Sequence, residues 1–133
     1  MFVFVTTEAC DWSSVMRAAR RKAKLLSGAS FVIQPARLTH KQEGPWIETV
    51  LEAYKTGSKD VVVASSSEVA LLCLLHHVGR GDLPCEDLHV YSVSSKDLRA
   101  EYRLRVSDEG EFIDIWPDGF FNARYQYLFG SGS

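Results

Sequence analysis

Residues Asp60–Ser65 read DVVVAS, an unbroken apolar run of three valines and an alanine between two polar ends. A β-branched run without alternation is the pattern of a strand covered on both faces, as in a parallel sheet. The segment that follows, Ser67–Val78, is apolar almost all round (Val69, Ala70, Leu71, Leu72, Cys73, Leu74, Leu75). Such a helix is expected to be deeply buried, here against a central strand at Val61–Ala64. Gly79 and Gly81 are expected to end it.

Upstream, Met1–Thr7 is an apolar run of strand length. Asp11 is placed to cap a helix to about Leu26, with Trp12, Val15, Met16, Ala19, Ala23 and Leu26 as its apolar stripe. Arg17, Arg20, Arg21, Lys22 and Lys24 fall on the opposite face. Ser30–Gln34 reads as a second strand and Pro35–Gly44 as a polar loop. Pro45 suits the first turn of a second helix, whose stripe is Trp46, Ile47, Val50, Leu51 and Tyr54 and whose end is Gly57.

Downstream, Leu88–Ser94, Tyr102–Val106 and Glu111–Trp116 alternate like strands, the last two joined as a hairpin through Asp108-Glu109-Gly110. A short aromatic helix, Phe120–Phe129, follows Pro117-Asp118-Gly119. Strand–helix alternation through the first two thirds implies an α/β fold, a mainly parallel sheet flanked by helices. The hairpin and end helix read as an appendage. One domain is expected over residues 1–129, and Gly130–Ser133 (GSGS) reads as an appended linker.

Composition narrows the classes. The chain has 133 residues, 46% hydrophobic and 24% charged, with a net charge of -2. That composition is ordinary for a soluble globular domain. The slightly acidic balance argues against a dedicated nucleic-acid coat. No apolar run approaches a membrane span, and MFVFVTTEACDW lacks the basic start of a signal peptide. The scattered Cys10, Cys73 and Cys85 form no disulfide framework or zinc motif, and a reducing, cytoplasmic setting is expected.

No phosphate-cradling glycine loop of either familiar kind is present. Adjacent helical residues project about 100° apart, so His76-His77 is read as a core or helix-end pair and not as metal ligands. His40 is read as a solvated loop histidine and Cys73 as a small core residue. Ser65-Ser66-Ser67-Glu68 reads as a helix cap, with a ligand-binding loop at a strand's carboxyl end as the alternative. An enzyme site built from His40, Glu43, Glu68 and His76 has no diagnostic spacing behind it.

Val61–Leu75 (VVVASSSEVALLCLL), Leu83–Val93 (LPCEDLHVYSV) and Gly110–Phe121 (GEFIDIWPDGFF) together resemble the C-terminal part of a family of prokaryotic ABC/SMC-like AAA ATPases. That group is related to the overcoming-lysogenization-defect ATPases of phage-defence operons. The resemblance covers roughly half the chain. Phe31–His40 (FVIQPARLTH) looks like a worn copy of the family's acidic strand and loop, in which Gln34 and Pro35 match. Ile33 stands where the metal-organising acid belongs, Ala36 at the catalytic Glu and Ser66 at the switch-loop His.

Phosphoryl transfer needs a carboxylate-held Mg²⁺ and charge-stabilising groups at the γ-phosphate. Isoleucine and alanine supply neither. The resemblance therefore implies a catalytically dead, ABC ATPase-like pseudo-ATPase. It would be an accessory subunit in antiviral defence that binds no cofactor or metal and forms an oligomer or complex with an ATPase, a nuclease, another effector or itself. Trp116, Phe120, Phe121, Tyr125 and Tyr127 are the expected protein-binding residues. The alternative is a nucleic-acid-binding accessory module that uses the basic helix 12–26 through Arg17, Arg20, Arg21 and Lys24.

Overall fold

The computed structural model describes residues 1–7, 12–57, 59–93 and 101–114. Their elements, in chain order, are β1 (Phe2–Thr6), α1 (Trp12–Leu25), β2 (Ser30–Ile33), α2 (His40–Gly57), β3 (Val61–Ala64), α3 (Glu68–Arg80), a 3-10 turn (Cys85–Asp87), β4 (Leu88–Val93) and β5 (Glu101–Leu104). The strands make one sheet in the order β2-β3-β1-β4-β5. The first four are mutually parallel and β5 runs antiparallel to β4. The fold is α/β with a mainly parallel sheet.

The centre of the sheet is β1, and β3 is an inner strand beside it. Every residue of β1 and of β3 is buried, because helices cover both faces. Strand pleating sorts the side chains. Phe2, Phe4, Val61, Val63 and Val90 face α2 and α3, where Ile47, Leu51, Leu71 and Leu74 meet them. Val3, Val5, Val62 and Ala64 face α1, meeting Val15, Ala18 and Ala19. The buried stripe of α1 is Ser14, Val15, Ala18 and Ala19. Trp12, expected in that stripe, is 36% exposed. Small residues at 14, 18 and 19 let the helix lie close to the sheet, and a bulky indole has no place beneath it.

The polar segment before Pro45 differs from the expected loop. Helix α2 begins at His40, so Pro45 lies inside it. A side-chain cap at its first turn starts the helix early. The Thr39 N–H donates to Gln42 Oε1 at 3.0 Å, and the Thr39 carbonyl accepts from the Gln42 and Glu43 amides. Pro45 lacks the N–H that would bond the Lys41 carbonyl. The helix carries that loss because Ile47, Val50 and Leu51 anchor the turns that follow.

Helix α3 starts as expected, with Ser67 accepting from the Ala70 amide. It ends at Gly81, whose φ of 84° is the left-handed cap conformation. Gly79 is not a terminator. It lies within the helix, where a Cβ would stand 2.8 Å from the Glu109 carbonyl oxygen.

What approaches there is the turn of the C-terminal hairpin. The Ser107 amide bonds the Glu111 carbonyl at 2.8 Å, the Gly110 amide bonds the Ser107 carbonyl at 3.0 Å, and Val106 bridges Phe112. Gly110 has φ 80°, the left-handed position of a three-residue hairpin loop. The hairpin is no detached appendage. Leu104 and Val106 are buried in the core beneath α2 and α3, while Arg103 and Arg105 on alternate positions are exposed. At its base Arg105 grips Asp114 through Nε at 3.1 Å and Nη2 at 2.9 Å. These bonds hold the Asp114 carboxyl down at about 2.

Candidate functional site

Open parallel sheets bind ligands beyond the carboxyl ends of their strands. At that edge β2 and β3 deliver Gln34 and the serines Ser65 to Ser67, and the first turn of α2 delivers His40 and Glu43. Gln34 Oε1 accepts from the Ser65 hydroxyl at 2.7 Å and from the Ser66 amide at 3.0 Å. Ser65 Oγ accepts from the Ser67 amide at 3.0 Å. Ser67 Oγ donates to Glu43 Oε2 at 2.7 Å while accepting from the Ala70 amide at 3.0 Å. Glu43 is buried, and the exposed His40 ring sits 3.6 Å from its Oε2.

These groups bond one another. Ser67 acts as a helix cap whose hydroxyl proton points at a carboxylate, not at an imidazole base. His40 and Glu43 come together, whereas His76 lies two turns along α3 from Glu68, about 12 Å by helical rise. His76 instead lines a cleft of about 320 Å³ against the hairpin. The four residues do not form one site. Ile33, Ala36 and Ser66 are all exposed at or beyond the strand ends. Between them Arg37 takes φ 67°, an uncommon conformation for a non-glycine residue.

The outer face of α1 carries Arg17, Arg20, Arg21 and Lys24, all exposed. Arg17 Nη2 reaches Ser14 Oγ at 3.5 Å. Lys22 leaves this set. It is half-buried, with its ammonium 3.6 Å from the centre of the Tyr91 ring.

A third group forms along the seam of α2 and α3, which pack side by side on one face of the sheet. Cys73 Sγ donates to Glu48 Oε1 at 3.3 Å. His77 Nε2 lies 3.1 Å from the same oxygen, and its Nδ1 lies 3.2 Å from Asp82 Oδ2. Ligand atoms of Glu48, Cys73 and His77 all fall within 4.8 Å of one another. His77 is buried and Glu48 reaches solvent.

The helix cap builds part of this arrangement. Left-handed Gly81 turns the chain so that the Asp82 amide bonds the His77 carbonyl at 3.0 Å, which brings the Asp82 carboxylate back over the ring. The two acids are held below the ordinary carboxylate range chiefly by their bonds to His77. Burial, and then the Glu48 carboxylate, push the Cys73 thiol up to about 12. Cys73 is thus a half-buried residue packed against the core, with its thiol turned to a carboxylate.

Glu48 and Asp82 carried no sequence signal that singled them out. Cys73 and His77 did, being four apart on one helix. The adjacent His76-His77 pair masks that spacing. The expected partner-binding residues Trp116, Phe120, Phe121, Tyr125 and Tyr127, the helix 120–129, and Cys10 lie outside the described residues. Among the described residues no helix is long and apolar enough to cross a membrane. No family model, curated protein or solved structure matches the chain.

Proposed function

We propose that the chain is a non-catalytic accessory subunit, a pseudo-ATPase remnant that acts by assembling with a protein partner. The partner would be an ATPase, a nuclease, another effector or a second copy, in a cytoplasmic complex of the prokaryotic antiviral kind. The observation that supports this most is the carboxyl edge of the sheet. One chain of its donors and acceptors is engaged internally, from Gln34 through Ser65 and Ser67 to Glu43. Groups committed to the fold are poorly placed to hold a metal-bound phosphate.

Next to that edge the molecule offers binding surface. Among the described residues strand β2 has one neighbour, so its outer rim can take an added strand. Ile33 at its end is 45% exposed, an apolar side chain at the place where the resembled family carries an acid.

The test is affinity capture from native cells together with ATP calorimetry on the purified chain. The expected result is a stoichiometric protein partner, or self-association, that Ile33→Lys weakens without lowering the melting temperature, and no ATP binding at micromolar concentration. ATP bound at micromolar concentration, or turnover that survives purification, overturns the proposal.

A second reading is favoured by the outer face of α1. Arg17, Arg20, Arg21 and Lys24 project together into solvent, suited to phosphates or an acidic partner. On that reading the accessory subunit touches nucleic acid through α1.

A further inference from the structure

We propose that Glu48, Cys73 and His77 form a metal site along the α2–α3 seam, that zinc(II) is the ion it suits, and that Asp82 positions the histidine. Cys73 and His77 share a face of α3 because they are one turn apart. Glu48 meets them from α2, and the three ligand atoms lie within 4.8 Å of one another. A tetrahedral zinc ion with bonds of about 2.0–2.3 Å needs its ligand atoms roughly 3.3–3.7 Å apart. Two separations, 3.3 Å from Cys73 Sγ and 3.1 Å from His77 Nε2 to Glu48 Oε1, already stand near that range. Rotation of the exposed Glu48 side chain adjusts them without moving either helix.

The surroundings of His77 are those of a metal-bound imidazole. Such a ring donates its second N–H to a carboxylate, which fixes its tautomer and aim. Here Asp82 Oδ2 takes Nδ1 at 3.2 Å, leaving Nε2 aimed at the other two donors. Without an ion, the Cys73 thiol and the Nε2 edge of His77 crowd one carboxylate oxygen. Metal binding replaces those contacts: the Cys73 S–H bond breaks, a sulfur–metal bond forms, and the proton passes to solvent. A thiolate with an imidazole selects zinc over the hard cations magnesium and calcium. Three protein ligands leave the fourth position to water, which Glu48 at the solvent boundary admits.

The experiment uses the full chain, stripped of metal, and titrates zinc against a chromophoric chelator and cobalt(II) by absorbance. The expected result is one equivalent bound, with a thiolate-to-cobalt charge-transfer band. Cys73→Ser, a conservative change at a half-buried position, abolishes the band while circular dichroism stays unchanged. Asp82→Asn keeps the band and weakens affinity by about 10–100-fold. The double variant Cys10→Ser/Cys85→Ser behaves as the parent. No stoichiometric zinc uptake by the folded chain overturns the proposal. So does a band that survives Cys73→Ser, or one that disappears in the double variant.

Discussion

Gly79 and Gly110 mark the place where the hairpin turn meets α3, and alanine substitutions there read that contact directly. Gly110 has φ 80°, and a Cβ on it would collide with the Leu75 carbonyl oxygen and stand 3.0 Å from the Gly79 amide nitrogen. The left-handed conformation alone costs an L-residue roughly 1–2 kcal/mol. Forcing the backbones apart adds about 1–3 kcal/mol, so Gly110→Ala should cost about 2–5 kcal/mol. Gly81 provides the control, with φ 84° and nothing within 4 Å of a Cβ. Its alanine variant carries only the conformational cost of roughly 1–2 kcal/mol.

Gly79→Ala sharpens the test by sign. In an open helix this change is stabilising by about 1 kcal/mol. Here the new methyl meets the Glu109 carbonyl oxygen at 2.8 Å and should destabilise. Urea denaturation of the three variants measures the differences. In thermal melts each kcal/mol moves Tm by roughly 3–5 °C at this chain length. If Gly110→Ala costs no more than Gly81→Ala, or if Gly79→Ala stabilises, the hairpin is not seated on α3 as described.

Two further outcomes follow from charge. Replacing Arg17, Arg20 and Arg21 with alanine should leave Tm within about 3 °C, since exposed charges contribute little to folding, and should weaken nucleic-acid or acidic-partner binding more at low salt than at high. Equal binding by parent and triple variant in low-salt gel shifts removes the second functional reading. The Asp114 carboxyl titrates at about 2 in the folded chain against an ordinary 3.8, so its stabilising pairing with Arg105 is present above about pH 4 and fades as pH falls toward 2. Asp114→Asn should flatten that part of the stability–pH curve, and an unchanged acid limb would show that the pair contributes nothing.

The sheet was legible because its signals are local. An unbroken valine run such as Val61–Val63 reads as a doubly covered strand, and the hairpin turn was readable from Asp108-Glu109-Gly110. Helix α2 shows the limit of reading one signal at a time. Pro45 at a first turn is a sound rule, yet the Gln42 side chain caps the Thr39 amide and the helix starts earlier. Two start signals competed, and hydrogen bonds to otherwise unpaired terminal amides outweighed one bond lost at proline. Gly79 misled for a related reason. A helix-breaking residue can mark a helix end or a close neighbour, and the neighbour here, Glu109, is thirty positions away.

The seam site sits between those extremes. Ile47 and Val50 of α2 are buried, as are Ala70, Leu71, Leu74 and Leu75 of α3. Successive helical residues turn by about 100°, so Glu48 lies on the flank of its stripe, as Cys73 and His77 do on theirs. When two stripes close on one sheet face, their flanks become the lips of the seam. A cysteine and a histidine four apart on such a flank identify half of a ligand set from sequence. The remaining half depends on how far one helix slides along the other, which is set by packing against Phe2, Phe4 and Val63 and by nothing local to Glu48. Asp82 needed a further step, because only the left-handed turn at Gly81 brings it back over His77. Chemistry assembled across a helix seam is therefore visible in sequence as a flank pattern, and its partners become visible once the packing register is known.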